Sequence, residues 1–193
     1  MDVLEAIKTR RSIRNFLDIP VDKKDIEIIL DAGRWAPSWS NTQCWHFIVV
    51  QDLQKRNFLA NTLHKIELPD RIVENPAAKS IRSAPLLIVV CARMKVAGGK
   101  PGGSAGEFEY VTDKGDWFMF DTALAVENMA LAAHAIGLGT VIIGAFDAPE
   151  VEKYLNIPHD CRVVVMLPVG VPMKKSSAPP RKDLSEIVSY ESW

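Results

Sequence analysis

The sequence predicts a layered domain in which α-helices pack on one β-sheet. Three observations carry that expectation. Four short apolar runs, at 47–50, 86–92, 140–143 and 162–167, have strand length. Helical patterns alternate with those runs. One long stretch after Asp116 is apolar nearly all round, which suits a helix wrapped by protein rather than one lying on a surface.

The chain has 193 residues and a formal net charge of -1. A single domain over 1–193 is expected, with enough core to need no disulfide staples. Near-neutral charge offers no global field for nucleic acid or a membrane surface, so any basic site must be local. Cys44, Cys91 and Cys161 are widely separated, have no metal-ligand spacing and fit a reducing compartment. The opening MDVLEAIKTRRS lacks the apolar region of a signal peptide. The resulting expectations are a cytoplasmic protein with no metal, no nucleic-acid partner and no membrane partner.

Asp2 and Glu5 form a capping-box pattern for a first short helix, with Val3 and Ile7 on one face. This helix delivers RRSIRNF, residues 10–16. Arg10, Arg11 and Arg14 with the Ser12 hydroxyl form a compact cluster suited to phosphate oxygens, which arginine forks bind in pairs. The plain alternative is a solvated basic turn, although Ile13 and Phe16 would anchor the strip to a core. Asp22 is placed to cap a second helix ending near Arg34, with Val21 stapled onto Ile26 and an apolar face of Ile26, Ile29 and Leu30.

The loop APSWSNTQCWH, residues 36–46, then leads into the first strand. Ser38, Ser40, Asn41, Thr42 and Gln43 supply donors and acceptors between two indoles, Trp39 and Trp45. Such a set can read the edge of a flat heterocycle. It can equally satisfy the loop's own backbone.

Asp52 is placed to cap a third helix carrying Phe58, Leu59 and Leu63, and Pro69 and Pro76 make 66–83 a broken helix by expectation. The run 86–92 reads as a strand buried on both faces. Residues 93–115 hold six of the eleven glycines and show no periodicity. They are expected to be a lid, extending to 117, or an insertion without chemistry.

Residues 116–147 read as helix, glycine turn and buried strand, with Gly137 and Gly139 stopping the helix. The helix has about the length of a bilayer span. Asp121, Glu127, Asn128 and His134 lie within it, and charge inside a membrane is costly, so a core helix is expected. Its complete burial in so short a chain suggests help from a second subunit. A capped short helix at 148–156, the last strand, a second basic point at Arg181 and Lys182, and a tail at 184–193 complete the chain.

Three segments in this order resemble the nitroreductase family of FMN oxidoreductases. RRSIR at 10–14 is similar to an Arg-x-Ser-x-Arg/Lys opening. APSWSNTQCWHF at 36–47 is similar to an Ala-Pro-Ser-x-x-Asn-x-Gln-Pro-Trp loop. GLGTVIIG at 137–144 is followed by GVP at 170–172 and RKDL at 181–184. The resemblance covers most of the chain. It implies an α+β fold with a mainly antiparallel sheet flanked by helices, in an intertwined homodimer whose C-terminal arm, 184–193, reaches over the partner.

Residue by residue, the resemblance implies that Arg10, Arg11, Ser12 and Arg181 hold the FMN phosphate. Arg14 would stand near the pyrimidine edge as an electrostatic stabiliser. Pro37, Ser38, Trp39, Asn41 and Gln43 would reach the flavin from the other subunit, and Ile143 and Gly144 would turn backbone amides toward N5. No side chain is implied as nucleophile or general base. Four positions depart from the pattern: Cys44 stands at the proline, Trp39 replaces a small polar residue, Ile143 carries no acid, and Pro179 replaces a basic residue.

The implied activity is ping-pong hydride transfer from NADH or NADPH to a small electron-poor acceptor such as a nitroaromatic, quinone or activated alkene. The alternatives are a dehalogenase, a flavin-cleaving enzyme, a non-catalytic flavin-binding module or sensor, and a protein whose basic clusters are surface charge alone.

Overall fold

The computed structural model describes residues 1–102, 107–174 and 176–193. In chain order the elements are α1 (Val3–Thr9), α2 (Lys23–Arg34), β1 (Trp45–Val50), α3 (Leu53–Asn61), β2 (Ile66–Glu67), β3 (Ile72–Val73), α4 (Ala77–Ser83), β4 (Leu86–Arg93), β5 (Gly99–Gly102), β6 (Glu107–Tyr110), α5 (Phe118–Ala135), β7 (Gly139–Thr140), α6 (Ala148–Tyr154) and β8 (Cys161–Gly170).

The four expected strands make one antiparallel sheet in the order β1-β4-β8-β7. Side chains alternate across β4. Leu87, Val89 and Cys91 join a core with α3, α4 and α6, whereas Leu86, Ile88 and Val90 join a core with α2 and α5. A strand buried on both faces must be apolar throughout, and that explains the unbroken run. β7 is shorter than the run 140–143 because of Pro168. Gly139↔Gly170, Thr140↔Val169 and Ile143↔Met166 share one register, with Pro168 opposite Val141 and no N–H to offer there.

Local capping follows the sequence at most ends. Asp2 accepts from the Leu4 and Glu5 amides, Asp52 from Lys55 and Asp147 from Glu150. Asp22 begins α2 without a side-chain cap bond. α5 ends in a Schellman arrangement: Leu138 N–H donates to Ala133 O at 2.9 Å and Gly137 N–H to His134 O at 3.1 Å, with Gly137 at φ 89°.

One expectation is corrected. Residues 66–83 are a small hairpin, β2–β3, followed by α4, because Leu68 and Arg71 close a turn whose second residue is Pro69. Within the glycine-rich stretch β5 and β6 pair antiparallel, and Gly103 and Gly106 lie outside the described residues. α5 packs on α2 and the sheet but leaves Met119 and Phe120 more than half exposed in the single chain. α1 likewise exposes Val3, Leu4 and Ile7, and the tail exposes Tyr190 and Trp193. No described helix is long and apolar enough to cross a membrane.

One buried charge went unnoticed in the sequence. Arg56 points inward from α3, and its Nη1 donates to the carbonyls of Ile81, Arg82 and Ala84, where α4 ends. Burial lowers its proton affinity, and Asp18 and Asp52 oppose that effect.

Candidate functional site

The strip after α1 is held at the sheet edge by backbone bonds. Ile13 N–H donates to Thr140 O at 2.8 Å, Leu17 N–H to Val171 O at 2.9 Å, and Met173 N–H to Asn15 O at 3.0 Å. Ile13 and Phe16 are buried, as their anchoring role requires. Buried and exposed side chains alternate along an extended segment, so Arg14 is turned outward.

A cavity of about 370 Å³ opens there, lined by Arg10, Arg11, Ser12, Arg14, Ser176, Ser177, Pro179 and Arg181. Four arginines separated by up to 171 positions in sequence thus share one surface with three hydroxyl groups. Ser176 and Ser177 were missed at the sequence level, where the only available signal was their closeness to Arg181. Arg11 Nη1 folds back onto the carbonyls of Lys8 and Arg10 at 2.8 and 2.6 Å, closing the end of α1. Arg10 Nε is buried without a hydrogen-bond partner among the described residues, and its closest carboxylate is Glu127 Oε1 at 3.6 Å. A buried donor without an acceptor beside converging cations suits a multi-oxygen anion.

His134 reaches the same neighbourhood from α5. Its Nε2 lies 2.8 Å from Thr9 Oγ1, whose own hydrogen goes to Glu5 O at 2.7 Å. With that hydroxyl donating to Glu5, the matching tautomer carries its proton on Nε2. Burial, and then the charges of Arg10 and Arg11, lower the pKa of this imidazole.

The second predicted group does not line the arginine cavity. Pro37, Ser38, Trp39, Asn41 and Gln43 belong to the loop between α2 and β1, which is a distorted 3₁₀ turn over Trp39–Asn41. Ser40, Asn41 and Gln43 have φ of 46°, 57° and 49°. Left-handed backbone costs a residue with a side chain on the order of 1 kcal/mol each time. Ser38 Oγ offsets part of that by accepting from Gln43 N–H at 2.9 Å. Asp121 of α5 accepts from Trp39 N–H at 3.0 Å and is itself 1% exposed. Burial raises its pKa, while the Trp39 bond acts the other way.

Trp39 also leans on Trp117, with ring centroids 5.3 Å apart, and Trp117 meets Phe120 edge-on at 5.1 Å. The β5–β6 hairpin begins against this cluster. A Cβ on Gly98 would sit 2.4 Å from the Trp117 ring, so only glycine allows that approach.

Gln43 faces another cavity, of about 600 Å³, which Cys44, Cys91 and Cys161 also line. Burial pushes the Cys44 thiol up to about 11 and the Cys91 thiol up to about 12, so both are neutral near pH 7. No group of side chains among the described residues is arranged to hold a metal.

Ile143 and Gly144 lie beyond β7. Ile143 N–H donates to Met166 O at 3.0 Å and is thereby used in the sheet. Gly144 is exposed, with open space where a side chain would stand.

The chain is 32% identical over 200 residues to a Methanothermobacter thermautotrophicus protein provisionally named NADH dehydrogenase/NAD(P)H nitroreductase, covering 100% of this chain and 88% of that one. It is 28% identical to the NADPH-flavin oxidoreductase of Vibrio harveyi, over 100% of this chain and 75% of the relative. A protein from Desulfovibrio desulfuricans, provisionally named a nitroreductase and solved in complex with FMN, superposes with a TM-score of 0.76 at 28% identity, covering 100% and 98% of the two chains. The model of the nitroreductase family matches residues 7–171, a span holding the strip, the loop and the whole four-stranded sheet, and the chain belongs to that family.

Proposed function

We propose that this chain is an FMN-dependent oxidoreductase that moves a hydride from NADH or NADPH to a small electron-poor acceptor, such as a nitroaromatic, a quinone or an activated alkene. The observation that carries the reading is the cavity that Arg10, Arg11, Ser12, Arg14 and Arg181 line together, with an Arg10 Nε that is buried and has no hydrogen-bond partner among the described residues. The FMN complex of the Desulfovibrio neighbour and the name of the Vibrio relative support it.

FMN, when bound, supplies reversible hydride transfer at N5. The chain's own residues bind and orient it. Arg10, Ser12 and Arg181 grip the phosphate, joined by Ser176 and Ser177, while Arg11 divides its guanidinium between the cavity and the end of α1. Arg14, exposed beyond the strip, supplies a fixed positive charge for the pyrimidine edge, where reduction places negative charge. The Gly144 amide is assigned to N5, because the Ile143 amide is already donated to Met166.

The reading includes a homodimer. The exposed apolar residues of α1 and α5 would be covered by a second copy, and the arm at 184–193 would reach over it. Pro37, Ser38, Trp39, Asn41 and Gln43 then serve the partner's flavin, which accounts for their absence from the arginine cavity of their own chain. The stretch 93–117 acts as a partial lid.

The test is a visible spectrum of the purified protein, followed by anaerobic NADH or NADPH. Flavin bands that bleach and then return on adding p-benzoquinone are expected. Flavin bands that neither nucleotide bleaches would leave a binding module, and a colourless protein that takes up no added FMN would overturn the reading.

A further inference from the structure

α5 grips Trp39 twice, at points one helical turn apart. Trp117 packs against its ring, and Asp121 accepts its backbone N–H at 3.0 Å. The same Asp121 Oδ2 lies 4.0 Å from Cys44 Sγ, a thiol that is itself buried. One carboxylate oxygen therefore faces both ends of the segment 39–44. Asp121 sits in the first turn of α5, where the helix N-terminus favours negative charge, and this offsets part of its burial.

The segment requires an external hold. Three of its residues are left-handed, and none of the three is glycine. Its internal bonds are few: Asn41 N–H to Ser38 O, Thr42 N–H to Trp39 O and Gln43 N–H to Ser38 Oγ. Backbone in such conformations persists only where its surroundings over-determine it. Asp121 and Trp117 meet Trp39, and at the other end Arg93 N–H donates to Cys44 O at 2.8 Å. The thiol can serve as a donor because it stays neutral: burial, followed by the Asp121 charge, pushes it to about 11.

We propose that Asp121 is a positioning residue that clamps Trp39 and Cys44, keeps the 39–44 loop in its strained form, and thereby sets how the loop meets the flavin and the acceptor. Asp121 acts through Trp39 and Cys44 and touches neither flavin nor acceptor. The functional part of this inference rests on the reading that the loop serves the flavin site; the clamp itself does not.

The test compares wild type, Asp121→Ala and Asp121→Asn by backbone hydrogen exchange, in the flavin-free and the FMN-loaded protein. Steady-state kinetics use NADH with p-benzoquinone. In Asp121→Ala the Trp39 amide should exchange roughly tenfold faster, the effect of losing one buried hydrogen bond. The acceptor KM should rise by a similar factor while kcat changes less. Asp121→Asn keeps a carbonyl oxygen for Trp39 and should restore most of the protection.

Unchanged Trp39 exchange in Asp121→Ala would overturn the clamp. So would faster exchange spread through α5 and the sheet with KM and kcat impaired together, the signature of a merely structural role. If wild type takes up no FMN, the functional reading fails, while Trp39 exchange in the flavin-free chain still decides the clamp. If Asp121→Ala does not fold, Cys44→Ala replaces it: faster exchange confined to 40–44 supports the clamp, and no change there sinks it.

Discussion

Gly139 and Ile13 are packed so closely that a Cβ on Gly139 would lie 2.6 Å from Ile13 Cγ1 and 2.8 Å from Ile13 Cβ. The contact lets β7 lie beside the arginine strip, so that Ile13 N–H can reach Thr140 O. Gly139→Ala must push the strip away. Overpacking of this kind costs about 1–3 kcal/mol. Urea denaturation should show that loss, and titration should show weaker FMN binding. Unchanged stability would mean that Ile13 can move without cost.

Arg10 and Arg181 approach the cavity from opposite ends of the chain. Arg10→Ala combined with Arg181→Ala should weaken FMN retention while leaving the fold intact. A charged hydrogen bond contributes about 1.5–3 kcal/mol, so affinity should fall at least tenfold. Fluorescence titration with FMN checks this, and wild-type affinity in the double variant would remove the phosphate assignment.

Arg56 closes the end of α4 at the carbonyls of Ile81, Arg82 and Ala84. Arg56→Ala leaves buried acceptors unpaired and should destabilise the domain by about 2–3 kcal/mol. The loss should show in thermal denaturation, with little change in the FMN affinity of the protein that remains folded.

His134 makes stability depend on pH with a defined sign. Its folded pKa lies below the unfolded value of about 6.5, so the unfolded chain binds the proton more readily. The contribution is full above about pH 6.5 and is lost as pH falls through the depressed folded value. Protonation at Nδ1 adds a charge facing Arg10 and Arg11, opposed by Glu5. His134→Gln can still donate to Thr9 but cannot titrate. Urea midpoints across this range should flatten in the variant, and an unchanged slope would assign the acid sensitivity elsewhere.

Much of this architecture was legible in the sequence because it is set locally. The four sheet strands are apolar runs, the caps at Asp2, Asp52 and Asp147 are short-range hydrogen bonds, and Gly137 marks a left-handed turn that other residues resist. The arginines of 10–14 and Arg181 were recognisable from residue type and from the ordered motifs. Other features arise only when distant segments meet. The β2–β3 hairpin replaced a broken helix because its turn closes around Pro69. Arg56 reads as a surface helix residue until α4 brings three carbonyls to it. Asp121 reads as an awkward charge in an apolar helix until the Trp39 amide, 82 positions away, arrives beside it. Periodicity, capping and turn chemistry act over a few residues and are written in the chain. The partner of a buried polar group is chosen by packing across the whole domain, and only the tertiary structure names it.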